Sequence, residues 1–530
     1  MNKKTKLFLV LSSLLYIIDS IIITAYQYSE ASILSNAENG DSAGIIKMVI
    51  VTVLLLVLSF GSAAACASMR LKYVAHGTLN LKHQLVKSIL HRPMHRLRSK
   101  DDEYYLNLLS NDSDTYTNEY LNLLPYIFSS LAAIISAAFM LMKLNIVLFA
   151  IAVTLSFIPM LVGNVFTKPL KKLTDKRSQI GGEYTGSAKQ IIEGNEAIRS
   201  SNAQEDFIER FDGSAKKFQD SKAKYSLVSV IGFQTLIDSA GLLNIICLAV
   251  GGYLAMDGKI QISMLFAAVS YFTSISNGVT NIMDYVMEIK ASKPVREKLM
   301  RETEEKDIES VSVADSGTAE FKSISFSFGD KKLYEDFDHT FTKGSLTAII
   351  GESGSGKSTL TKLLRKYYTD YEGEITLSGA DIKTLSEQEI YRHIGVVEQS
   401  TYLFNASLYD NITMFSGVPA KDSKEYEDLL KRVNLDTLAH QVADNLLGDF
   451  GGKISGGERQ RIALARVLRT NPEIIIFDEP TTGLDPENAR LINEEIFALD
   501  GVTRIVISHD RKEEYLSRFD EVIMVGNERR

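Results

Sequence analysis

The chain has little cysteine and no excess of positive charge. Its 530 residues include two cysteines, Cys66 and Cys247, and both lie in long apolar stretches, so the sequence indicates neither a disulfide framework nor a cysteine metal site. The 58 lysines and arginines are outnumbered by 66 aspartates and glutamates, giving a formal net charge of −8. Basic residues cluster only at the ends of the apolar stretches. The composition therefore argues against nucleic acid as a partner.

Long apolar stretches are confined to the N-terminal part of the chain. The mean hydropathy of the whole chain is −0.00, and this average hides a large difference between its two parts. Six stretches are long enough to cross a bilayer. They are residues 7–26, 45–68, 121–142, 145–165, 227–256 and 260–283. We therefore predict a membrane domain with six transmembrane helices, surrounded by lipid bilayer.

Lysine and arginine are unevenly distributed around these stretches. They precede the first stretch and follow the second and fourth, whereas residues 27–44 carry acids and no base. The positive-inside rule then places both termini in the cytoplasm of a multi-pass plasma-membrane protein. The alternative, a cleaved signal peptide at residues 1–26, lacks a small-residue cleavage site and would disrupt the charge pattern. Residues 69–119 and 166–226 are charged and helix-patterned, so we expect the membrane helices to extend into the cytoplasm.

A glycine-rich segment lies in the C-terminal part. Residues 351–358 fit the pattern G-x-x-x-x-G-K-[ST], and a β-favouring run precedes them while a helical pattern follows. Backbone N–H groups of such a loop surround phosphates, Lys357 meets their charge, and the Ser358 hydroxyl binds Mg²⁺. The segment therefore predicts a site for ATP and Mg²⁺. Its predicted nucleotide-binding residues are Gly351, Ser353, Gly354, Ser355, Gly356, Lys357, Ser358 and Thr359.

Two adjacent carboxylates follow the apolar run Ile-Ile-Ile-Phe at residues 474–477. We expect Asp478 to hold Mg²⁺ through water, and Glu479 to orient or deprotonate the attacking water. The alternative is that both acids only cap the turn before Pro480. The intact phosphate loop makes the catalytic interpretation the stronger one.

The C-terminal part resembles the ATP-binding-cassette (ABC) proteins over about residues 318–530. Residues 454–458, Ile-Ser-Gly-Gly-Glu, resemble the LSGGQ signature of that family. The other matched residues, in chain order, are Gln399, the turn at residues 483–485, and His509. The signature departs from the usual form at Ile454 and at Glu458, where a carboxylate replaces an amide. As an ordered set these motifs are specific.

The resemblance implies a head-to-tail dimer of cassettes. Each ATP would lie between the phosphate loop of one cassette and the signature of the other. Ser455, Gly456 and Gly457 would contact the γ-phosphate of the nucleotide held by the partner, and Asp485 would lie at the dimer interface. The partner would be a second half-transporter, either another copy or a related chain.

The resemblance also implies roles for other residues. Gln399 would sense Mg²⁺ and the attacking water, so it counts as a catalytic and a metal-site residue together with Ser358 and Asp478. His509 would contact the γ-phosphate and complete the catalytic set with Glu479. Phe328 matches the aromatic residue that stacks on adenine.

The N-terminal part resembles the six-helix membrane domain of ABC exporters. The resemblance rests on residues 83–93, 107–112 and 192–198. It implies short coupling helices near residues 110–116 and 203–211 that rest on the cassettes.

These comparisons predict a transmembrane domain at residues 1–302, a linker at 303–317 and an α/β nucleotide-binding domain at 318–530. Residues 446–449 resemble the exporter loop that contacts a coupling helix of the partner subunit. We interpret the chain as a half-transporter that exports a small amphipathic compound, peptide or lipid by alternating access. The alternatives are an importer of the same fold, a membrane protein regulated by ATP without transport, and a soluble ABC mechanoenzyme, which the apolar stretches exclude.

Polar residues inside the apolar stretches are candidates for the translocation path. They are Asp19, Gln234, Asp238, Asn244, Asn277 and Asn281. One hypothesis is that Asp19 and Asp238 favour a cationic or amphipathic substrate. The alternative is that they form hydrogen bonds between helices.

Overall fold

The computed structural model describes residues 2–304, 313, 315–329, 331–442, 445–447 and 454–526. The chain divides into two compact units, which are Met1–Leu90 with Asp102–Glu304, and His91–Asp101 with Glu305–Arg530. The predicted linker spans this division, but residues 305–312 and 314 lie outside the described residues. The segment His91–Asp101, which the sequence places within the membrane domain, belongs to the second unit.

The described part of the N-terminal region is helical. Its helices are α1 (Lys3–Glu38), α2 (Ser42–His91), α3 (Met94–Leu97), α4 (Asp102–Asn107), α5 (Ser113–Tyr116), α6 (Leu124–Leu144), α7 (Ile146–Leu155), α8 (Ile158–Glu193), α9 (Asn195–Ser200), α10 (Gln204–Met256), α11 (Ile262–Ala291) and α12 (Lys293–Thr303). Two π-helical turns, Leu108–Asp112 and Thr117–Leu121, flank α5. Helix α3 lies in the second unit.

Within the described residues, five helical segments are long and apolar enough to cross a membrane, so the predicted count of six is not confirmed. These segments are Lys3–Glu38, Ser42–His91, Asp102–Leu144, Gln204–Met256 and Ile262–Ala291. The fourth predicted stretch, residues 145–165, is divided between α7 and the start of α8. The Asn145 side chain accepts the N–H of Val147 at 2.8 Å, so α7 begins as a separate helix. The backbone hydrogen bonds of α7 then end before α8, whose second residue is a proline without an N–H group.

The helices of the first unit pack around a buried apolar core. Leu141, Leu148 and Phe272 are fully buried there and bring α6, α7 and α11 together. Helices α8 and α10 also pack along each other, and Tyr184 stacks on Phe218 with ring centroids 5.1 Å apart. Large apolar side chains elsewhere face outwards, including Phe60, which is 81% exposed. Such an exposed apolar surface is typical of a helix bundle in lipid.

The second unit contains two sheets. Its strands are β1 (Ala319–Phe328), β2 (Lys331–Phe341), β3 (Leu346–Ile350), β4 (Glu372–Leu377), β5 (Ala380–Asp381), β6 (Ile394–Val397), β7 (Ile474–Asp478), β8 (Thr503–Ser508) and β9 (Glu521–Met524). Strands β2-β1-β4-β5 form an antiparallel sheet. Strands β6-β7-β8-β3-β9 form a parallel sheet.

Helices connect and cover these strands. They are α13 (Lys357–Leu364), α14 (Glu387–His393), α15 (Leu408–Thr413), α16 (Lys424–Arg432), α17 (Asp436–Val442), α18 (Gly456–Leu468), α19 (Pro486–Phe497) and α20 (Glu513–Leu516). Every residue of β3 and β8 is buried, as expected for central strands of a parallel sheet covered on both faces. Because the strands are parallel, β3, β6, β7 and β8 all end at one edge of the sheet, where polar side chains can meet.

Candidate functional site

The glycine-rich loop joins β3 to α13. Gly354 and Gly356 have φ angles of +76° and +109°, which only glycine adopts without strain. A Cβ atom at Gly351 would come within 2.7 Å of Ser355 Oγ, so this position also requires glycine. The Gly356 carbonyl accepts hydrogen bonds from the Thr359 N–H at 2.7 Å and the Tyr334 hydroxyl at 2.8 Å. The loop is therefore held in a curled shape at a helix N-terminus, an arrangement suited to anions.

Lys357 lies inside this loop. Its Nζ donates to the carbonyls of Gly351 and Glu352, both at 2.9 Å, and the residue is 5% exposed. Burial lowers the pKa of the Lys357 ammonium. Buried cations require compensation by negative groups. A phosphate within the loop would provide that compensation.

Ser358 and Asp478 form a pair of oxygen ligands. The Ser358 hydroxyl donates to Asp478 Oδ1 at 3.2 Å across the edge of the sheet. Burial raises the pKa of the Asp478 carboxyl, although the Ser358 hydrogen bond opposes this change. Oxygen ligands of this kind fit Mg²⁺, which binds through one or two protein oxygens, water and substrate phosphate. A cation here would also lower the cost of ionising the buried carboxylate.

Glu479 is the centre of a second cluster at the same edge. Its Oε2 accepts the Gln399 Nε2–H at 2.9 Å and the Thr482 hydroxyl at 3.1 Å. Its Oε1 lies 2.7 Å from His509 Nε2. Glu479 has a φ angle of +49°, unusual for a residue with a Cβ, and its N–H donates to the Ile507 carbonyl at 3.0 Å. The three predicted catalytic residues Gln399, Glu479 and His509 thus meet in the tertiary structure.

The signature residues lie at the N-terminus of α18. Ser455 caps this helix, and Glu458 completes a capping box by accepting the Ser455 N–H at 2.8 Å and its hydroxyl at 2.7 Å. A Cβ atom at Gly457 would lie 2.9 Å from Asn488 Oδ1, so the first turn of α19 approaches closely. Asp485 caps α19 and accepts the Asn488 N–H at 3.0 Å.

These signature residues are not bonded to the phosphate loop of their own chain. Residues 454–458 and 351–359 are all described, and no hydrogen bond or ion pair joins the two sets. Gly456 and Gly457 instead pack near Leu484 and Asn488. The predicted nucleotide-binding residues therefore form two separate groups within one chain.

Phe328, at the end of β1, is 60% exposed. It contacts Tyr368 edge-on, with ring centroids 5.8 Å apart, and this contact leaves one face of the ring open. Ser353 is exposed at the tip of the phosphate loop. The loop predicted at residues 446–449 falls partly outside the described residues, which include 445–447 but not 449.

Residues His91–Asp101 pack against the cassette strands and helices within the second unit. The Met94 N–H donates to Glu387 Oε1 at 2.7 Å, and the Arg98 guanidinium lies 5.1 Å from the centroid of the Tyr367 ring. Burial raises the pKa of the Glu387 carboxyl, while burial, followed by the nearby cations Arg96 and Lys366, lowers the pKa of His95.

The sequence predicts a coupling helix near residues 110–116. In the structure these residues belong to the first unit, where Ser113 is fully buried and Asp112 pairs with Lys298 at 2.7 Å. Their coupling role stays a prediction. The second predicted coupling segment, residues 203–211, covers the start of α10 and stays a prediction.

Some polar residues of the membrane helices form hydrogen bonds with other side chains, and others lie on an exposed face of a helix. Asp19 accepts a hydrogen bond from Ser62 of α2, Gln234 donates to Asp238 at 2.9 Å within α10, and Thr273 donates to Asn244 at 3.1 Å. The bonds of Asp19 and Asn244 join two helices, as the alternative expects, whereas the bond of Asp238 lies within one helix.

Other polar residues line one exposed face of α11. The residues are Asn277, Asn281, Asp284 and Glu288, and their spacing of four, three and four residues places them on one side of the helix. Sequence reasoning identified the two asparagines but missed Asp284 and Glu288. Their helical spacing was the signal that could have found them.

Sequence reasoning also missed residues that support the catalytic cluster. Tyr334 fixes the Gly356 carbonyl, Thr482 donates to Glu479, and Gln460 donates to the Gln399 carbonyl at 3.1 Å. None of these side chains belongs to a local motif that would identify it. The roles of Tyr334 and Gln460 depend on contacts between distant parts of the chain, whereas Thr482 lies three residues from Glu479.

Two family models match this chain. Residues 8–279 match the ABC transporter transmembrane region, and residues 334–482 match the ABC transporter model. The chain belongs to the ABC transporter family, as a multi-pass membrane protein with an ATP-binding cassette.

Curated relatives are similar over parts of the chain. The ATP-dependent permease MDL2, mitochondrial, of Saccharomyces cerevisiae is 29% identical over 69% of this chain and 49% of its own length. The ATP-dependent lipid A-core flippase of Francisella tularensis is 28% identical over 65% of this chain and 59% of its length. The transport/processing ATP-binding protein ComA of Streptococcus pneumoniae is 25% identical over 94% of this chain and 71% of its length. The chain therefore spans between half and three-fifths of the length of the first two relatives.

A solved structure shares the fold. The structure described as a bacterial Atm1-family ABC exporter with ATP bound superposes with a TM-score of 0.81 at 19% identity, covering 99% of this chain and 93% of that chain. At this level of identity the similarity establishes the exporter-type fold.

Proposed function

We propose that this protein is one half of an ATP-driven exporter of the plasma membrane. Its transmembrane domain would be residues 1–302, its linker 303–317 and its cytoplasmic cassette 318–530. The observation that carries the proposal is the convergence of Gln399, Glu479 and His509 beside an intact phosphate loop. The exporter-type fold supports the direction of transport.

The proposed hydrolysis follows from the positions of the side chains. The phosphate loop and Lys357 would bind the phosphates of ATP. The oxygens of Ser358 and Asp478 would hold Mg²⁺, which would supply positive charge beside the phosphates. Glu479 accepts the proton of the attacking water. Its carboxylate is oriented by the side chains of Gln399 and His509, which lie 2.9 and 2.7 Å from its two oxygens.

A second half-transporter completes each ATP site. Ser455, Gly456 and Gly457 form no hydrogen bond with their own phosphate loop, so we expect the first-turn N–H groups of Gly456 and Gly457 to bind a nucleotide held by another cassette. Phe328 offers its open ring face to the adenine. Closure of the two cassettes around ATP would then drive the membrane helices between inward- and outward-facing states.

Residues 91–101 provide a physical connection for this motion. The chain leaves α2, packs on the cassette through Met94 and Arg98, and returns to the membrane unit at α4. Movement of the cassette would therefore be transmitted directly to the ends of two membrane helices.

The exported compound would be a small amphipathic molecule, a peptide or a lipid with positive charge. The exposed polar face of α11 and the exposed Asp238 support this class, because carboxylates are costly in lipid and require water or a cationic partner. Transport should fall in Asp284→Asn combined with Glu288→Gln while basal ATP hydrolysis is retained. Unchanged transport of every cationic compound in a screen would reject this substrate class.

The proposed ATPase is tested with the purified full-length chain in lipid nanodiscs. Glu479→Gln should abolish phosphate release and accumulate an ATP-bound closed dimer, which cross-linking between cassettes detects. Glu425→Gln, an exposed residue of α16, is the matched control and should retain wild-type activity. Hydrolysis at the wild-type rate in Glu479→Gln would remove Glu479 from catalysis, and uptake instead of extrusion by cells would reverse the proposed direction.

A further inference from the structure

A second cluster of ionisable side chains lies in the cassette, at the opposite ends of the strands from the catalytic residues. His393 ends α14 immediately before β6, and Glu473 immediately precedes β7. These two strands pair in parallel with Ile394 opposite Ile474, so the two side chains start from neighbouring positions at the N-terminal edge of the sheet. Asp315 precedes β1, where the chain enters the cassette from the linker.

The donor atoms of these three residues converge. His393 Nδ1 lies 2.8 Å from Glu473 Oε2 and 3.7 Å from Asp315 Oδ1. One donor atom from each residue lies within 4.8 Å of the other two. Donors about 2.0–2.2 Å from a tetrahedral metal ion are about 3.3 Å apart, so small side-chain movements would place all three around one ion.

The histidine is buried and is supported on its other side. His393 is 1% exposed, and its Nε2 has no hydrogen-bond partner among the described residues. Glu389 Oε1 lies 3.5 Å from this Nε2 and is held in place by the Val313 N–H at 2.9 Å. A carboxylate near the second ring nitrogen is the usual companion of a metal-bound histidine. His393 Nδ1 is hydrogen-bonded to Glu473 Oε2, so an ion bound at Nδ1 would take the place of the proton in that hydrogen bond.

The buried residue Thr503 holds the segment that carries Glu473 and the segment that carries Asp315 at a fixed spacing. Thr503 is fully buried; its N–H donates to the Glu473 carbonyl at 2.9 Å and its hydroxyl to the Gly317 carbonyl at 2.7 Å. The segments that carry Glu473 and Asp315 are therefore attached to the same point of β8. A site whose donors are held by packed backbone loses little entropy when it binds an ion.

The charges also favour a cation. Asp315, Glu389 and Glu473 surround the imidazole, and the Arg392 guanidinium lies 4.0 Å from Glu389. The Lys343 side chain passes beside Gly317, close to Glu473, so the three carboxylates outnumber these two cations. We propose that Asp315, His393 and Glu473 form a binding site for a divalent transition-metal ion of the Zn²⁺ class, which fastens the end of the linker to the cassette. One imidazole and two carboxylates suit Zn²⁺, whereas Mg²⁺ prefers oxygen ligands alone.

The site is separate from the proposed ATP site, since its residues lie at the N-terminal ends of β6 and β7 and the catalytic residues at their C-terminal ends. Binding would connect residues 315–317 to the edge formed by α14, β6 and β7. Its expected effect is a more stable cassette and a linker that is anchored where it begins to transmit movement.

The test uses the full-length, tag-free chain in detergent, with Zn²⁺ as the probe and excess Mg²⁺ present to fill oxygen-only sites. Calorimetric titration and metal analysis after gel filtration should give one Zn²⁺ per chain, and Zn²⁺ should raise the thermal unfolding midpoint. His393→Gln should remove this binding, and Asp315→Asn, at an exposed position, should weaken it by at least about tenfold. His440→Gln, an exposed histidine of α17, controls for surface binding and should keep the site.

Two results would overturn the proposal. One is the same stoichiometry and affinity in wild type, His393→Gln and Asp315→Asn, which would place any bound Zn²⁺ elsewhere. The other is the absence of bound Zn²⁺ together with a pH-dependent unfolding midpoint that His393→Gln removes, which would make the cluster an imidazolium ion pair between Glu389 and Glu473. Neither result depends on ATP hydrolysis.

Discussion

Glu458 is the residue in which the signature of this chain departs most from the usual form, and Glu458→Gln isolates the effect of its charge. The carboxylate accepts both the N–H and the hydroxyl of Ser455. A glutamine oxygen can accept the same two bonds, so the capping box and α18 should be retained. The substitution therefore removes one negative charge while preserving the local geometry.

The size of the effect follows from two hydrogen-bond lengths. Ser455 Oγ lies 2.7 Å from Glu458 Oε2. A phosphate oxygen that accepted the single hydroxyl proton in place of Glu458 would lie about 2.7 Å from Oγ, which puts the two negative groups about 5 Å apart. At that distance unit charges repel by about 0.8 kcal/mol in bulk water and by about 3 kcal/mol at an effective dielectric constant of 20. Because Glu458 is partly exposed, we expect about 1 kcal/mol, or about a fivefold lower ATP concentration for half-maximal activity.

The assay is steady-state ATP hydrolysis by the reconstituted protein at low and high salt. Glu458→Gln should lower the KM for ATP, and its advantage should shrink at high salt because screening reduces the repulsion. In a Glu479→Gln background the same change should increase the fraction of closed dimer at limiting ATP. A KM that is unchanged or higher in Glu458→Gln at low salt, with Glu425→Gln at the wild-type value, would refute the reasoning.

Three further predictions concern the cassette. Arg98→Ala removes a cation–π contact worth about 0.5–1 kcal/mol at an exposed site, so amide exchange of the peptide containing Met94 should accelerate about two- to fivefold in hydrogen-exchange mass spectrometry. Ile505→Ala opens a cavity in a fully buried strand and should cost about 2–5 kcal/mol of unfolding free energy, measured by denaturant titration of the cassette signal. Burial raises the pKa of Asp478, so the folded state holds its proton more tightly and the stability contributed by this residue falls as pH rises through the unfolded pKa towards the raised value. Asp478→Asn should therefore raise the thermal unfolding midpoint at neutral pH without nucleotide while impairing ATP hydrolysis. An equal or lower midpoint would contradict the conclusion that the ionised Asp478 carboxylate destabilises the folded state.

The phosphate loop could be predicted because its function lies in consecutive residues. Lys357 and Ser358 follow glycines whose positive φ angles form the loop, and the loop lies between a buried strand and a helix. The same holds for Asp478 and Glu479, which the buried strand β7 delivers to the sheet edge. Such local patterns identify the functional residues and predict a buried strand, although they do not show which other residues these side chains contact.

The fourth membrane stretch shows the limit of this reasoning. Hydropathy averages over about twenty residues, so it treats residues 145–165 as one segment. The structure divides them, because the Asn145 side chain starts a new helix and a proline follows the short α7. A capping side chain affects only three or four residues, so an average of hydropathy over about twenty residues does not detect it.

The segment of residues 91–101 shows a related limit. The charge and helix pattern of residues 69–119 indicated a cytoplasmic hairpin without locating its contact with the cassette. That contact depends on Glu387 and Tyr367, which lie more than two hundred and fifty residues further along the chain. No local feature of the sequence distinguishes Met94 or Arg98 from the residues beside them.

The sequence by itself determined that the chain is a membrane protein with an ATP-binding cassette, because hydrophobic length, charge asymmetry and glycine-dependent loop geometry are properties of contiguous residues. Tertiary structure alone decided which distant side chains share a site. Parallel strand order brings Gln399, Glu479 and His509 to one edge of a sheet, and the opposite edge brings His393 and Glu473 together beside Asp315. The physical reason is that strand pairing is specified by buried contacts across the whole cassette, which spacing along the chain does not record.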